Sequence, residues 1–308
     1  MQPIRLGLVG YGKIAQDQHL PAIRANPMFS LEGVATQGAP CPGVPNFGTL
    51  TELLASQPGL DAIAFCTPPQ GRHGLVHEAL KAGKHVLVEK PPCASLGEAM
   101  ALVAQARDAR LAGLFAWHSR FAPGVEAARA WLVGRPLKAV RVQWKESVRK
   151  WHPGQTWIWR AGGLGVFDPG INALSIVTEL LPTSLFIEQA ELRVPANCQA
   201  PIAATMALRD AQGLPVSVDL DFDHGHDELW RIELEAEDGT LRLDQGGAVV
   251  TLDGMPMAVS EEGEYPALYR HFHELVQACG QDMDVQPLRV VADAFFAGER
   301  TTVEPFYE

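Results

Sequence analysis

A glycine-rich turn near the start of the chain constrains its fold more than any other stretch. Residues 4–9 form a short apolar run, Gly10 and Gly12 follow at alternate positions, and Ala15 comes three residues later. This order predicts a strand, a tight turn and a helix whose first N–H groups face an anion. A second strand-like run at 30–35 follows at βαβ spacing. The turn therefore predicts a dinucleotide site, and the alternative is a merely structural turn.

The end of the second strand bears on which dinucleotide is bound. Sites selective for NAD place an acidic residue there to hold the ribose 2′-hydroxyl, but this chain has Thr36 and Gln37. Nothing at this position repels a 2′-phosphate, and no arginine attracts one. We expect both NADP and NAD to be usable, with a lean towards NADP. The predicted cofactor contacts in these two segments are Gly10, Tyr11, Gly12, Lys13, Ile14, Thr36 and Gln37.

The length and charge of the chain narrow the function classes. At 308 residues the chain is long for a single core, so about two domains are expected. The formal net charge of −11 repels polyanions, which argues against nucleic acid and favours a neutral or cationic small substrate. No apolar run approaches membrane-spanning length, and the first residues are typical of a strand rather than a signal peptide. We expect no membrane association.

The cysteines and histidines predict neither disulfides nor a metal site. Five cysteines lie far apart, with no Cys-x-x-Cys pair and an odd total. This pattern argues against a disulfide framework or a zinc site and favours a reducing compartment. The ten histidines also form no recognisable metal signature. We therefore expect a cytoplasmic protein without a bound metal.

The first 119 residues alternate strands with helices, which predicts a doubly wound parallel sheet. Strands are expected at 60–66 and 85–88, and helices at 74–82 and 96–111. The loops that follow the strands lie at the carboxyl edge of such a sheet, where ligands bind. The predicted cofactor contacts in the loop after the third strand are Cys66, Thr67 and Pro68.

A second loop at that edge carries Glu89 and Lys90, followed by two prolines. A lysine at the end of an inner strand directs its ammonium towards the crevice where a nicotinamide would lie, and the prolines restrict its backbone. The alternative is a solvated lysine in a turn, which is the commoner situation for this residue type. Both Glu89 and Lys90 are predicted to contact the cofactor.

From residue 120 the pattern changes to longer, alternating strands without intervening helices. This change predicts a large open sheet that is mostly antiparallel and has one covered face. Strands are expected at 137–147, 187–194, 202–208, 216–222, 229–236, 240–243 and 248–252. The fold class is α/β, with a Rossmann dinucleotide-binding domain at 1–119 and an α+β domain at 120–308. The second domain would serve substrate binding and oligomerisation, and its C-terminal helices could pack back on the first.

Asp168 and Asn172 lie four residues apart at a predicted helix start. At that spacing both side chains emerge on one helix face, towards the same opening. The alternative is structural, because an aspartate followed by Pro169 is an ordinary helix N-cap with proline at the first helical position. A cap does not require Asn172, whereas a shared site uses both residues.

Several segments together resemble the glucose–fructose oxidoreductase/inositol dehydrogenase (Gfo/Idh/MocA) family over almost the whole chain. They are the glycine turn at 10–15, the Thr-Pro-Pro loop at 67–69, the segment 83–91 that ends in Glu-Lys-Pro, and the segment 162–172. The tract from 144 to 159 looks like that of the family's bacterial aldose 1-dehydrogenases, which act on L-arabinose or D-galactose. The resemblance implies a nucleotide domain, a substrate domain whose open sheet can pair subunits, and an active site between them.

The resemblance also implies roles for individual residues. Lys90 matches the catalytic-site lysine of the family, whereas Asn172 stands where many relatives carry a histidine, which moves proton transfer to Asp168. Asp168 is then the base for the C1 hydroxyl of a cyclic sugar, either directly or through a water. Lys90 favours negative charge on that oxygen, and Asn172 orients the ring. Hydride transfer from C1 to NADP or NAD would give the 1,5-lactone. The predicted substrate contacts are His118, Glu146, Trp151, His152 and Trp230.

Alternatives remain for the aromatic residues and for the function. Core packing explains Trp157 and Trp159 about as well as a sugar site does. A nucleotide-binding regulator of the same fold is one other function, and the presence of both Lys90 and Asp168 argues against it. A reductase or dehydrogenase of another polyol is a second, and Asn172 argues against an inositol substrate. We expect a homo-oligomer, a dimer or higher.

Overall fold

The computed structural model describes residues 2–307, which form two compact units. The first unit contains the residues up to Trp117 together with Tyr265–Val285. The second contains His118–Glu264 together with the residues from Gln286 onward. The predicted division falls after residue 119. The segment Tyr265–Val285 thus returns to the nucleotide-binding unit from a part of the chain that the sequence assigned to the second domain.

The strands alternate with helices in the first part of the chain and follow one another in the second. In chain order the strands are β1 (Ile4–Val9), β2 (Phe29–Ala35), β3 (Asn46–Phe47), β4 (Ala62–Phe65), β5 (His85–Glu89), β6 (Gly113–Ala116), β7 (Leu137–Lys145), β8 (Leu185–Pro195), β9 (Ala203–Asp210), β10 (Pro215–Asp221), β11 (Leu229–Ala236), β12 (Thr240–Asp244), β13 (Val249–Leu252), β14 (Met255–Pro256), β15 (Gln281–Asp282) and β16 (Glu299–Val303).

The helices include one short π-helical turn, Ala15–His19, which leads directly into the first α-helix. In chain order the α-helices are α1 (Leu20–Ala25), α2 (Leu50–Ser56), α3 (Arg72–Lys81), α4 (Leu96–Asp108), α5 (Pro123–Leu132), α6 (Val148–Trp151), α7 (Phe167–Leu180), α8 (Glu264–Ala278) and α9 (Gln286–Ala297). None of the helices in the described part of the chain combines the length and apolarity that a membrane crossing requires.

The sheet of the first unit has seven strands in the order β15-β6-β5-β4-β1-β2-β3, and all of its pairs are parallel. Its central strands are apolar runs because helices cover both faces of such a sheet. All four residues of β4 are buried, as are five of the six residues of β1. The predicted Rossmann domain is confirmed.

The sheet of the second unit has nine strands in the order β14-β13-β12-β11-β7-β10-β9-β8-β16. Only the pairs β7–β10 and β8–β16 are parallel, so the prediction of a large, mostly antiparallel sheet is confirmed. Along β7, Val140, Val142 and Trp144 are buried and alternate with more exposed residues. This alternation gives the sheet one face that packs against helices and one open face.

Helix α7 lies very close to this sheet. A Cβ atom at Gly170 would stand 2.6 Å from Leu220 Cδ1 on β10, so any larger residue at this position would require the Leu220 side chain to shift. The structural alternative, in which Asp168 is merely the N-cap, does not hold, because the helix begins one residue earlier, at Phe167, with Val166 as its cap residue. Asp168 therefore lies inside the first turn, where the helix dipole favours a negative charge.

The edge strand β16 is absent from the predicted strands. Its first four residues are exposed and polar, and it pairs in parallel with β8 at the end of the sheet. A strand that is exposed on both faces has no alternation of apolar and polar residues, which is the pattern that identifies strands in a sequence.

Candidate functional site

The glycine turn of the first unit has the geometry that a pyrophosphate requires. Gly10 has φ of +90°, and a Cβ there would stand 2.8 Å from the Thr67 backbone nitrogen. At Gly12 a Cβ would meet no atom within 4 Å, so the space beside its backbone is open. Gly10 thus closes the turn against the loop after β4, and Gly12 leaves room for an anion at the start of the helix. These residues fit a dinucleotide.

The other predicted cofactor contacts of this region lie around the same turn and at the end of β2. Lys13 is exposed and forms an ion pair with Asp17 one turn later. Thr36 Oγ1 accepts a hydrogen bond from the Gly38 N–H at 3.1 Å, and Gln37 is exposed. The position after β2 therefore presents a hydroxyl and an amide rather than a carboxylate.

Two loops at the carboxyl edge of the parallel sheet are tied together by one buried arginine. The guanidinium of Arg72, whose residue is only 2% exposed, donates hydrogen bonds to the carbonyls of Thr67, Glu89 and Pro91. Lys90 is half-buried and directly follows β5. In the sequence it lies between Glu89 and Pro91, two of the residues whose carbonyls bond Arg72. The predicted cofactor loops at 66–68 and 89–90 are thus held to each other by Arg72.

Glu89 is buried beside Lys90 and takes part in a polar network inside the first unit. Its carboxylate accepts a hydrogen bond from the Tyr265 hydroxyl at 2.6 Å and lies 3.0 Å from His19 Nε2. The other ring nitrogen of His19 lies 2.8 Å from the Tyr269 hydroxyl. Sequence reasoning missed His19, Arg72, Tyr265 and Tyr269. No local pattern marks them, because their partners are distant in the chain.

In the second unit, helix α7 carries the predicted base. Asp168 is 2% exposed, and its Oδ2 lies 3.6 Å from His152 Nε2. Asn172 follows one helical turn later and is partly exposed. The ring of His152 also packs edge-on against Phe222, with centroids 5.5 Å apart. The structure thus brings together Asp168 and His152, which the sequence assigned to catalysis and to substrate binding.

Three tryptophans form an aromatic cluster where β7 ends and the antiparallel strand β11 begins. Trp144 and Trp230 are cross-strand partners whose rings stack at 6.0 Å, and Trp151 packs on Trp230 at 5.5 Å. The Trp151 indole donates to Glu228 Oε1 at 3.3 Å. The Lys150 ammonium, which bonds the same carboxylate, lowers the pKa of Glu228. The predicted contacts Trp151 and Trp230 are therefore neighbours, as a wall for the apolar face of a sugar requires.

Glu146 and His118 occupy different parts of the second unit. Glu146 follows β7, is 5% exposed, and donates its backbone N–H to the Asp221 carbonyl at 2.9 Å. His118 Nδ1 lies 2.5 Å from Glu264 Oε2, and the histidine side chain is 15% exposed. Of the two tryptophans with a packing alternative, Trp159 contacts Phe222 and Phe306.

Chains of known function resemble this one over its whole length. A family model described as an oxidoreductase family with an NAD-binding Rossmann fold matches residues 4–115. A galactose 1-dehydrogenase from Pseudomonas fluorescens is 62% identical over 309 residues, which cover 100% of both chains. Identity at this level over the full length shows that the two chains share one fold and one family.

Solved structures agree with that similarity. A crystal structure of D-galactose-1-dehydrogenase from Rhizobium etli is 49% identical, with a TM-score of 0.96 over 100% of this chain and 99% of that one. A 3-ketoreductase from Actinomadura kijaniata, solved with NADP and TDP-benzene, is 19% identical, with a TM-score of 0.83 over 98% of this chain and 99% of that one. The second match shows a shared fold alone.

Proposed function

The chain belongs to the Gfo/Idh/MocA family of oxidoreductases, and from that premise we propose that this sugar 1-dehydrogenase oxidises C1 of D-galactose to the 1,5-lactone. The observation that carries the proposal is the 62% identity, over the full length of both chains, to a galactose 1-dehydrogenase. L-Arabinose is the second candidate substrate, because it presents the same ring hydroxyls and lacks only the exocyclic CH2OH group.

Asp168 is the proposed base. Oxidation at C1 breaks the C1–H and O–H bonds, and the hydroxyl proton needs an acceptor while the C=O bond forms. The Asp168 carboxylate is buried on the first turn of α7, so its orientation is fixed and little bulk water competes for it. When bound, a nicotinamide cofactor supplies the hydride acceptor.

Lys90 and Asn172 are proposed to act on the same sugar. The ammonium of Lys90 stabilises negative charge that develops on the C1 oxygen as its proton leaves. The amide of Asn172 donates and accepts hydrogen bonds without a change of charge, so it orients the ring hydroxyls. Asn172 stands one turn after Asp168 on the same helix, which supports a shared ligand.

The remaining substrate contacts combine polar groups with aromatic faces. Trp151 and Trp230 supply the aromatic wall, and their mutual contact at 5.5 Å supports that assignment. His152 is proposed to bind the sugar beside Asp168, and Glu146 and His118 complete the predicted set. Sugar rings have apolar C–H faces and polar edges, and this residue mixture matches both.

Both NAD and NADP are the proposed cofactors, with a lean towards NADP. Thr36 and Gln37 place no carboxylate at the end of β2, so a 2′-phosphate meets no repulsion there. No arginine at these positions provides a strong attraction either, which supports the use of both cofactors.

The reducing cytoplasm stays the proposed location on the basis of the cysteine spacing.

A homo-oligomer, a dimer or higher, is proposed to form through the open face of the nine-stranded sheet. A groove of about 970 Å³ crosses this face and carries charges of both signs, including Arg141, Glu188 and Asp219. An isologous interface must be self-complementary, and a mixed-charge surface meets that condition. Light scattering on the wild type and on an Arg141→Glu variant tests this proposal. A wild type that is monomeric at all concentrations would contradict it.

The function is tested with purified protein, both cofactors and a panel of aldoses. We expect reduced nicotinamide to form with D-galactose, and D-galactono-1,5-lactone to be the first product in NMR spectra. D-Glucose, which differs only at C4, is the matched control, and L-arabinose tests the role of the CH2OH group. Binding of nucleotide without oxidation of any aldose would favour a regulator of the same fold instead.

A further inference from the structure

The backbone around Lys90 is held by buried side chains on both sides. The Lys90 N–H donates to Glu89 Oε2 at 2.8 Å. The carbonyls of Glu89 and Pro91 both accept hydrogen bonds from the buried guanidinium of Arg72. Water could equally satisfy the backbone groups at the end of a strand. Here buried side chains bond them instead, and these bonds fix the peptide units that flank the lysine.

The carboxylate that bonds Lys90 is itself held from two further directions. The Tyr265 hydroxyl donates to Glu89 Oε1 at 2.6 Å, and His19 Nε2 lies 3.0 Å from the same oxygen. Each of these three residues is at most 4% exposed. The network joins β5, the π-helical turn and α8, so three separate elements determine where the Glu89 carboxylate stands.

Burial of the ionisable side chains of Glu89 and His19 is unfavourable in free energy, and the fold does not require ionisable residues at these positions. Transfer of ionisable groups out of water is unfavourable unless they are paired and hydrogen-bonded. Burial disfavours the imidazolium of His19, but its neighbours Cys66, Tyr269 and Glu89 more than compensate and hold the pKa of His19 well above its usual value. A strand could end at this point with an apolar residue, so a role for the carboxylate is indicated.

We propose that Glu89, oriented by His19 and Tyr265, is a positioning residue that sets the place of the Lys90 ammonium. This inference rests on the proposed role of Lys90 at the C1 oxygen. The ammonium is at the end of a flexible stem, so only a fixed backbone gives it a defined starting point. A misplacement of about 1 Å at a reacting centre can cost on the order of 10²-fold in rate.

Tyr265→Phe is the primary test, because it removes one hydroxyl and keeps the ring. We expect kcat with D-galactose to fall about tenfold, while the KM for the sugar and the Kd for NAD(P) change less than twofold, since an orienting bond is lost and no ligand contact. Tyr269→Phe is the matched variant from the same helix. Within residues 2–307 its hydroxyl bonds His19 and not Glu89, so the expected loss of kcat is below about threefold. Glu89→Gln should cost more than Tyr265→Phe.

A double-mutant cycle with Lys90→Met separates this inference from the proposed function. If Tyr265 acts through Lys90, Tyr265→Phe costs nothing further in the Lys90→Met background. The same loss in both backgrounds would overturn the positioning role, and so would full kcat in folded Tyr265→Phe and Glu89→Gln proteins. Wild-type activity of Lys90→Met alone would remove the proposed role of Lys90, and the inference with it.

A measurement on the protein without ligands gives an independent readout. The rate at which acetic anhydride modifies Lys90 as a function of pH, followed by peptide mass spectrometry, reports the surroundings of its amine. We expect Tyr265→Phe to change this rate at least twofold. Lys84, which precedes β5 and donates to the carbonyls of Pro58 and Leu60, is the internal control and should not change. An unchanged rate at Lys90 would count against the positioning role.

Discussion

His152 Nε2 lies 3.6 Å from Asp168 Oδ2, which places an imidazole beside a carboxylate that is 2% exposed. The two residues come from different segments, an irregular loop after α6 and the first turn of α7. Helix α7 itself carries no histidine, so the imidazole near the proposed base comes from another part of the chain. Catalysis should therefore depend on His152.

Replacement of His152 by glutamine should lower kcat/KM for D-galactose about tenfold, because the variant loses a group that both contacts Asp168 and is proposed to bind the sugar. His224→Gln is the matched control. Its side chain is similarly exposed, at 21% against 20%, and faces Asp221 at 3.9 Å. Steady-state kinetics on both variants makes the comparison. Equal losses of kcat/KM in the two variants would show that His152 has no specific role.

Alanine substitutions at the two glycines of the turn should affect different properties, the stability of the protein at Gly10 and cofactor binding at Gly12. Gly10→Ala forces a side chain to φ of +90° and to within 2.8 Å of a backbone nitrogen, so we expect a loss of about 2 kcal/mol or more in the free energy of unfolding. Gly12→Ala meets open space, so thermal stability should be unchanged while the Kd for NAD(P) rises about tenfold, or ~1.4 kcal/mol. Urea denaturation and fluorescence titration measure the two effects. A stable Gly10→Ala protein would refute the first.

A carboxylate at the end of β2 should change cofactor preference. Gln37→Asp places a negative charge where a 2′-phosphate is expected, so kcat/KM for NADP should fall at least tenfold while the value for NAD is kept or improved. Gln37→Asn is the control, since it shortens the side chain without adding charge. Kinetics with both cofactors at saturating sugar provides the test. A Gln37→Asp enzyme with unchanged NADP kinetics would place the 2′-phosphate elsewhere.

The buried His19 should make stability depend on pH. The pKa of His19 is raised in the folded protein, so its charged form contributes stability that is fully present below about pH 6.5 and is lost as pH rises through the folded pKa. The difference in the free energy of unfolding between wild type and His19→Gln should therefore shrink as pH rises. Urea denaturation between pH 6 and pH 9 measures it. A difference that grows with pH would mean that His19 is buried in its neutral form.

Local patterns in the sequence predicted most of the fold. The glycine turn, the apolar runs of the parallel strands and the alternation along β7 and β11 each depend on residues close together in the chain. The helix after the turn ends at Ala25, where Asn26 and then Pro27, which cannot extend a helix, follow it in the chain. Strand β16 was missed because an edge strand with polar residues on both faces carries no such pattern.

The candidate site could be predicted from the sequence only where one segment carries several of its proposed residues. Asp168 and Asn172 share one helix, and their spacing alone placed them on one face. The partners of Glu89 lie 70 and 176 residues away in the chain, so no motif could reveal that its carboxylate faces His19 and Tyr265. The 3.6 Å contact between His152 and Asp168 also depends on how a loop folds against α7, which propensity does not determine.

The kcat of Asp168→Asn with D-galactose and saturating NAD(P) tests the proposed chemistry most directly. The substitution keeps the size of the side chain and removes its ability to accept the C1 hydroxyl proton. We predict a fall in kcat of about 10³-fold, within the range of a lost general base, with the Kd for NAD(P) and the melting temperature unchanged. An Asp168→Asn enzyme that oxidises D-galactose at the wild-type rate would contradict the assignment of Asp168 as the base.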